Sequence, residues 1–177
     1  MNKPEYVKYL SLIDSKQYEE YIDFIIFKEN NNYNREEFFD GCKTFFLVER
    51  FEIKNNELCK KFFDISKDLT KVLNDKFGEG SIYNIQFSLL PPQKKIKPHY
   101  DTGLMFSLSH RIHLPIVTNN ESIFMIGNQE FKFKVNQLIE INNKKVHSVV
   151  NKSKDQSRIH LIVDYLPLKY SNYLLTH

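Results

Sequence analysis

The 177-residue chain contains no tryptophan, two cysteines, five glycines and, among 25 basic residues, only four arginines. Cys42 and Cys59 are too few and too far apart for a disulfide framework or a zinc finger. No apolar run approaches the roughly 20 residues that cross a bilayer as a helix. The N-terminal MNKPEYVKYLSLIDSK has neither an apolar stretch nor a small-residue cleavage site, so a cytoplasmic setting away from any membrane is expected. There is no internal repeat and no long linker. The net charge of +3 is a mild bias. Its lysine clusters (94, 95 and 97; 144, 145, 152 and 154) read as a solvated face, and nucleic acid is not expected as a partner.

What is present is a core. Hydrophobic residues make up 41% of the chain and aromatics 14%, and a chain of this length buries roughly 70% of its unfolded surface without staples. One domain over 1–177 is expected. Residues 1–80 would be mainly helical support with one strand, 81–166 a β core carrying the site, and 167–177 a tail. The spacing of Tyr18, Tyr21, Ile22, Ile25 and Ile26 predicts a helix over 16–28, and that of Leu58, Phe62, Ile65, Leu69 and Val72 a second over 56–77 ending at Gly78. Residues 44–53 between them read as a strand. From residue 81 the period becomes two, with short strands at 81–90, 111–117, 137–141, 145–151 and 158–166 and a tight turn at Gly127-Asn128. The fold class is therefore α+β: a jelly-roll-like β barrel with N-terminal helices packed on its outer face.

Alternation assigns faces. Ile112, Leu114 and Ile116 share one side of their strand, Arg111 and His113 the other; Ile159, Leu161 and Val163 oppose Arg158, His160 and Asp164; Tyr83, Ile85, Phe87 and Leu89 oppose Asn84, Gln86 and Ser88. A polar face in water is the usual reading of such a pattern. Water-facing strands of this chain would, however, carry lysine. These carry Arg, His, Ser and Gln, which fits a barrel whose polar faces line an internal site.

His99 and Asp101 lie two residues apart, on one side of an extended chain, where an imidazole and a carboxylate can take adjacent corners of an octahedral metal. His147, on a later strand, is the candidate third ligand. Two histidines and a carboxylate leave positions for a co-substrate and O2, as non-haem Fe(II) oxygenases require. A His-x-acid pair alone is weak, and His147 alone reads equally well as a satisfied structural histidine. Arg158 follows His147 by eleven residues; its fork suits the far carboxylate of a chelating keto-diacid, and its plain alternative is a surface salt bridge.

Taken jointly, FSLLPPQKKIKPHYDTG (87–103), RIHLPIVTN (111–119), VHSVVNKS (146–153) and RIHLIVDY (158–165) resemble the aspartyl/asparaginyl β-hydroxylase family, a branch of the Fe(II)/2-oxoglutarate-dependent dioxygenases with a double-stranded β-helix fold. Residues 1–80 match only in general helical character. The resemblance implies Fe(II), 2-oxoglutarate and O2 as cofactor and co-substrates, with His99, Asp101 and His147 on the metal. It implies Arg158 and Ser88 on the distal carboxylate of 2-oxoglutarate, and Arg111 and His113 at its metal-proximal end. The substrate would be an amino acid, free or as an Asp-, Asn- or Pro-like residue in a peptide or protein; nothing in the pattern speaks to oligomeric state. The animal members carry Gly where this chain has Asp101, so the full triad points to the bacterial-type members and away from halogenation. A nucleic-acid demethylase would show a second Arg at position 164, where this chain has Asp. A catalytically silent metal-binding barrel is the rival from another class.

Overall fold

The computed structural model describes residues 3–22, 40–54 and 56–170. Eleven strands among these residues form two antiparallel sheets. They are β1 (Val7–Leu12), β2 (Lys43–Glu49), β3 (Glu52–Ile53), β4 (Gly80–Leu90), β5 (Lys95–His99), β6 (His110–Val117), β7 (Ser122–Ile126), β8 (Gln129–Phe131), β9 (Gln137–Ile141), β10 (His147–Asn151) and β11 (Arg158–Pro167). The larger sheet runs β1-β9-β6-β11-β4-β2-β3 and the smaller β5-β10-β7-β8. This is the expected jelly-roll barrel.

Alternation works here as a sorting rule. The outward residues of the large sheet, among them Ile85, Phe87, Ile112, Leu114, Leu161 and Val163, join Phe62, Leu69 and Leu73 in one buried cluster. Phe62 belongs to helix α1 (Asn56–Ile65), and the two leucines to α2 (Lys67–Phe77). The helices thus cover the outer face, as their apolar stripes require. A second cluster fills the space between the sheets, with Leu90, Ile96, Phe124, Ile126, Phe133, Ile139, Ile141 and Val149. Polar residues of β4, β6 and β11 point into that same space.

The structure departs from the sequence reading in several places. The apolar stripe over 56–77 is two helices rather than one, broken at Ser66, which leaves helical geometry at φ −88 and ψ 24. Residues 7–12, read as general helical support, form β1, an edge strand paired with β9. Its six residues have no strong alternation, and only the long-range partner makes them a strand. Of the helix expected over 16–28, the described part is a 3-10 turn (Ser15–Tyr18) and a short helical stretch at 20–22; the rest lies outside the described residues. The strand expected over 44–53 is a hairpin whose two turn residues, Arg50 and Phe51, have φ of 51 and 67. Neither is glycine, so the turn is held by outside partners. The Arg50 amide donates to Asn84 Oδ1 at 3.0 Å, and the Phe51 amide donates to the Tyr83 carbonyl at 3.0 Å. Finally, residues 104–108 form a one-turn helix, α3 (Leu104–Leu108).

The join between helices and sheet is tight at Gly80. Tyr165 Oη lies 2.7 Å from both Asn74 Oδ1 and the Gly78 carbonyl oxygen. A Cβ on Gly80 would press on the Tyr165 ring and the Leu166 carbonyl oxygen. Gly80→Ala is expected to destabilise the protein by about 1–3 kcal/mol, the usual cost of overpacking, read as a lowered midpoint in thermal or denaturant unfolding.

Candidate metal centre

Strands β5 and β10 are antiparallel neighbours, and their register sets His147 opposite His99, with ring centroids 4.3 Å apart. Each imidazole is oriented in the same way. His99 Nδ1 lies 2.8 Å from the Lys97 carbonyl oxygen, and His147 Nδ1 lies 2.9 Å from that of Lys145. A carbonyl accepts only from a protonated Nδ1, so the lone pair of each ring sits on Nε2. Burial lowers the pKa of His147, which favours the neutral, ligating form. Asp101 follows the end of β5. One candidate ligand atom from each of His99, Asp101 and His147 lies within 4.8 Å of the others. Two imidazoles and a carboxylate at that separation are a donor set that fits a divalent first-row metal.

Asp101 is gripped from two sides. Its amide donates to the Asn143 carbonyl at 3.0 Å, and the Asn143 side chain, whose Nδ2 donates to the Phe106 carbonyl at 3.3 Å, helps hold the carboxylate in its charged form. From the other side Arg111 Nη1 donates to Asp101 Oδ2 at 2.9 Å. Burial raises the Asp101 carboxyl, but Arg111, His147, Asn143 and His99 together outweigh it and hold the group below its ordinary value. Arg111 is itself packed under the Phe106 ring, 5.2 Å from its centroid, and faces a second carboxylate, Asp164 Oδ1, at 3.4 Å.

Further along the polar interior, Arg158 is 2% exposed. Its Nη2 lies 2.6 Å from His160 Nδ1, and His113 Nδ1 is 3.3 Å from the same nitrogen. Burial, reinforced by the Arg158 charge, pushes both histidines well below their ordinary value, so both are neutral. His113 Nε2 is buried with no hydrogen-bond partner among the described residues. Ser88 pairs with His160 across the β4–β11 ladder, and its Oγ is 3.5 Å from Cys42 Sγ. Phe124 is a common wall. It stacks on His147 at 6.1 Å, meets His113 edge-on at 5.6 Å, and lies under the Arg158 guanidinium at 5.9 Å.

The seven sequence-predicted residues therefore fall into two linked groups, His99, Asp101, His147 and Arg111 around the carboxylate, and Ser88, His113 and Arg158 around His160. Sequence reasoning missed what Arg111 does first, which is to hold Asp101 and Asp164. It also missed Asn143, Phe124 and Cys42, and it put Asn84 on a polar face without giving it a part. Asp164 had a signal, since it shares the polar face of Arg158 and His160. Asn143 had none, because it acts from a turn. Asn143→Ala is expected to weaken divalent-metal binding by roughly 10–100-fold, the usual effect of removing a group that orients a ligand, as read by calorimetric titration of the metal.

No curated protein is similar to the chain in sequence. Solved structures share its fold. A 2OG-Fe(II) oxygenase family oxidoreductase from Burkholderia pseudomallei superposes with a TM-score of 0.58 at 16% identity, over 71% of this chain and 66% of that one, just under two thirds of its length. A prolyl-4-hydroxylase from Pseudomonas putida gives 0.58 at 14% identity over 91% of both chains. The viral collagen prolyl hydroxylase of Paramecium Bursaria Chlorella virus-1 gives 0.57 at 10% identity, over 93% of this chain and 97% of that one. At sequence level, a model of the family described as aspartyl/asparaginyl beta-hydroxylase matches residues 15–167, a span that takes in every strand but β1 and every site residue above, and the chain belongs to that family.

Proposed function

We propose that this family member is an Fe(II)- and 2-oxoglutarate-dependent dioxygenase. It would hydroxylate an amino acid, free or as an Asp-, Asn- or Pro-like residue in a peptide or protein, and release succinate and CO2. The observation that carries the reading is the His99, Asp101 and His147 cluster, with candidate ligand atoms within 4.8 Å of one another. Iron, 2-oxoglutarate and O2 would together supply the oxidising chemistry that inserts oxygen into a substrate C–H bond.

The chain's own part is binding, orientation and exclusion of water. His99 and His147 present Nε2, and Asp101 presents a carboxylate, leaving three of roughly six coordination positions to other groups. Arg158 and Ser88, at the buried end of the polar face, would take the distal carboxylate of 2-oxoglutarate by charge-assisted hydrogen bonds. His113 would meet the metal-proximal end through the Nε2 that lacks a partner among the described residues. Arg111, beside the Asp101 carboxylate, would add positive charge to the same end. Phe124 packs against both groups and keeps the space between them apolar. The prolyl hydroxylases among the structures sharing this fold support an amino-acid substrate. A silent scaffold would gain nothing from a fully buried Arg158 flanked by two neutral histidines.

Anaerobic addition of Fe(II) and 2-oxoglutarate is expected to produce a visible charge-transfer band from keto-acid chelation, and His147→Ala to abolish it. A folded wild-type protein with no band would overturn the assignment in favour of the silent barrel. Arg158→Ala is expected to raise the KM for 2-oxoglutarate by roughly ten- to a hundredfold, as for the loss of a charge-assisted contact. Succinate release at varied 2-oxoglutarate concentration measures it.

A further inference from the structure

The buried carboxylate of Asp164 has no place among the metal ligands or in the co-substrate cradle, and it is fully buried. On β11 it pairs with Arg111 of β6 on one side and with Asn84 of β4 on the other. Asn84 Nδ2 donates to Asp164 Oδ2 at 2.9 Å, while Asn84 Oδ1 accepts the amide of the strained Arg50 turn. Both ends of the Asn84 amide are thus engaged, and its orientation is determined. Asp164 Oδ1 then faces Arg111. One and the same atom, Arg111 Nη1, lies 2.9 Å from Asp101 Oδ2 and 3.4 Å from Asp164 Oδ1, and Asp164 Oδ1 has no hydrogen-bond partner among the described residues.

A lone guanidinium on Asp101 would neutralise the carboxylate that a metal has to use. A divalent cation would then meet two neutral imidazoles and a compensated ion pair. Burial raises the Asp164 carboxyl while Arg111 and Asn84 lower it; with that carboxyl ionised, Asp101, Arg111 and Asp164 together carry one net negative charge, and Nη1 has a second acceptor beside it. The ammonium of Lys3 also lowers the Asp164 carboxyl, but more weakly than Arg111 and Asn84 do. We infer that Asp164 is a positioning residue: by sharing Arg111 with Asp101 it limits the guanidinium's hold on that carboxylate and keeps the carboxylate available to a divalent cation. The inference rests on His99, Asp101 and His147 being the metal site.

The test is titration of the folded protein with Mn(II) alone, followed by EPR of the free ion, with no co-substrate and no turnover. Asp164→Asn keeps an oxygen acceptor for Asn84 and replaces the charged Oδ1 facing Arg111 by an uncharged amide NH2 that cannot accept from it; it is expected to weaken Mn(II) binding about tenfold or more, in the range for groups that tune a metal ligand. Adding Arg111→Gln to Asp164→Asn removes the competing cation and is expected to restore binding to the wild-type level, which mere structural damage would not do. Asp164→Ser serves the same comparison should the amide not fold. Wild-type affinity in folded Asp164→Asn, or failure of the double variant to recover, overturns the inference while leaving the metal site standing. A wild-type protein that takes up no Mn(II) overturns the metal site itself.

Discussion

The site depends on one strand that is buried on both faces. Every residue of β11, from Arg158 to Pro167, is buried, with β4 on one side and β6 on the other. Outward, Ile159, Leu161, Val163 and Tyr165 meet the helices. Inward stand Arg158, His160 and Asp164, and a buried polar group without a partner is costly. The two ladders supply the partners. Their register places Ser88 beside His160, and Asn84 and Arg111 beside Asp164. A slip of one residue would send every one of these polar groups into the helix-facing core. The apolar packing of the outer face and the chemistry of the inner face are therefore the same constraint seen from two sides.

The smaller sheet adds the second half of the site by the same means. It sets His147 opposite His99, and it brings Phe124 of β7 against the imidazole of His147. Two backbone carbonyls, those of Lys97 and Lys145, then choose the tautomer of each ring. Almost nothing in this arrangement depends on long flexible side chains. The histidines are anchored through hydrogen bonds to carbonyls two residues earlier in the chain, and Asp101 through the Asn143 backbone. The entropy of holding the ligands is therefore lost once, when the sheets form, rather than at each encounter with a metal.

Much of this was legible in the sequence because alternation is a local signal. The period-two strands from residue 81 onward, the sorting of Arg111, His113, Arg158 and Ser88 onto polar faces, and the i, i+2 spacing of His99 and Asp101 all follow from strand geometry alone. What was not legible depends on partners distant in sequence. Strand β1 exists because β9 offers it a ladder, and the turn at Arg50 and Phe51 because Asn84 and Tyr83 receive its amides. Asn143 reaches Asp101 only once the chain has crossed between sheets. The resemblance implies a place for Arg111 at the metal-proximal end of the co-substrate, but the first carboxylates it meets belong to the protein. The ladder register that puts Asp164 beside it is not written in either strand separately.

Charge balance ties these observations together. The polar interior holds two arginines, Arg111 and Arg158, and two carboxylates, Asp101 and Asp164, all at least largely buried. With all four ionised their charges cancel, which is what a dry interior tolerates. A divalent cation on the His99, Asp101 and His147 cluster would upset that balance by two positive charges. A dicarboxylate reaching from the metal to Arg158 would restore it, and a monoanion or a neutral ligand would not. The scarce arginines, the buried carboxylate opposite one of them and the neutral histidines between them are then parts of one arrangement. On the proposed reading, an interior that is neutral with neither bound would be neutral again with metal and dianion together, so each would favour the binding of the other.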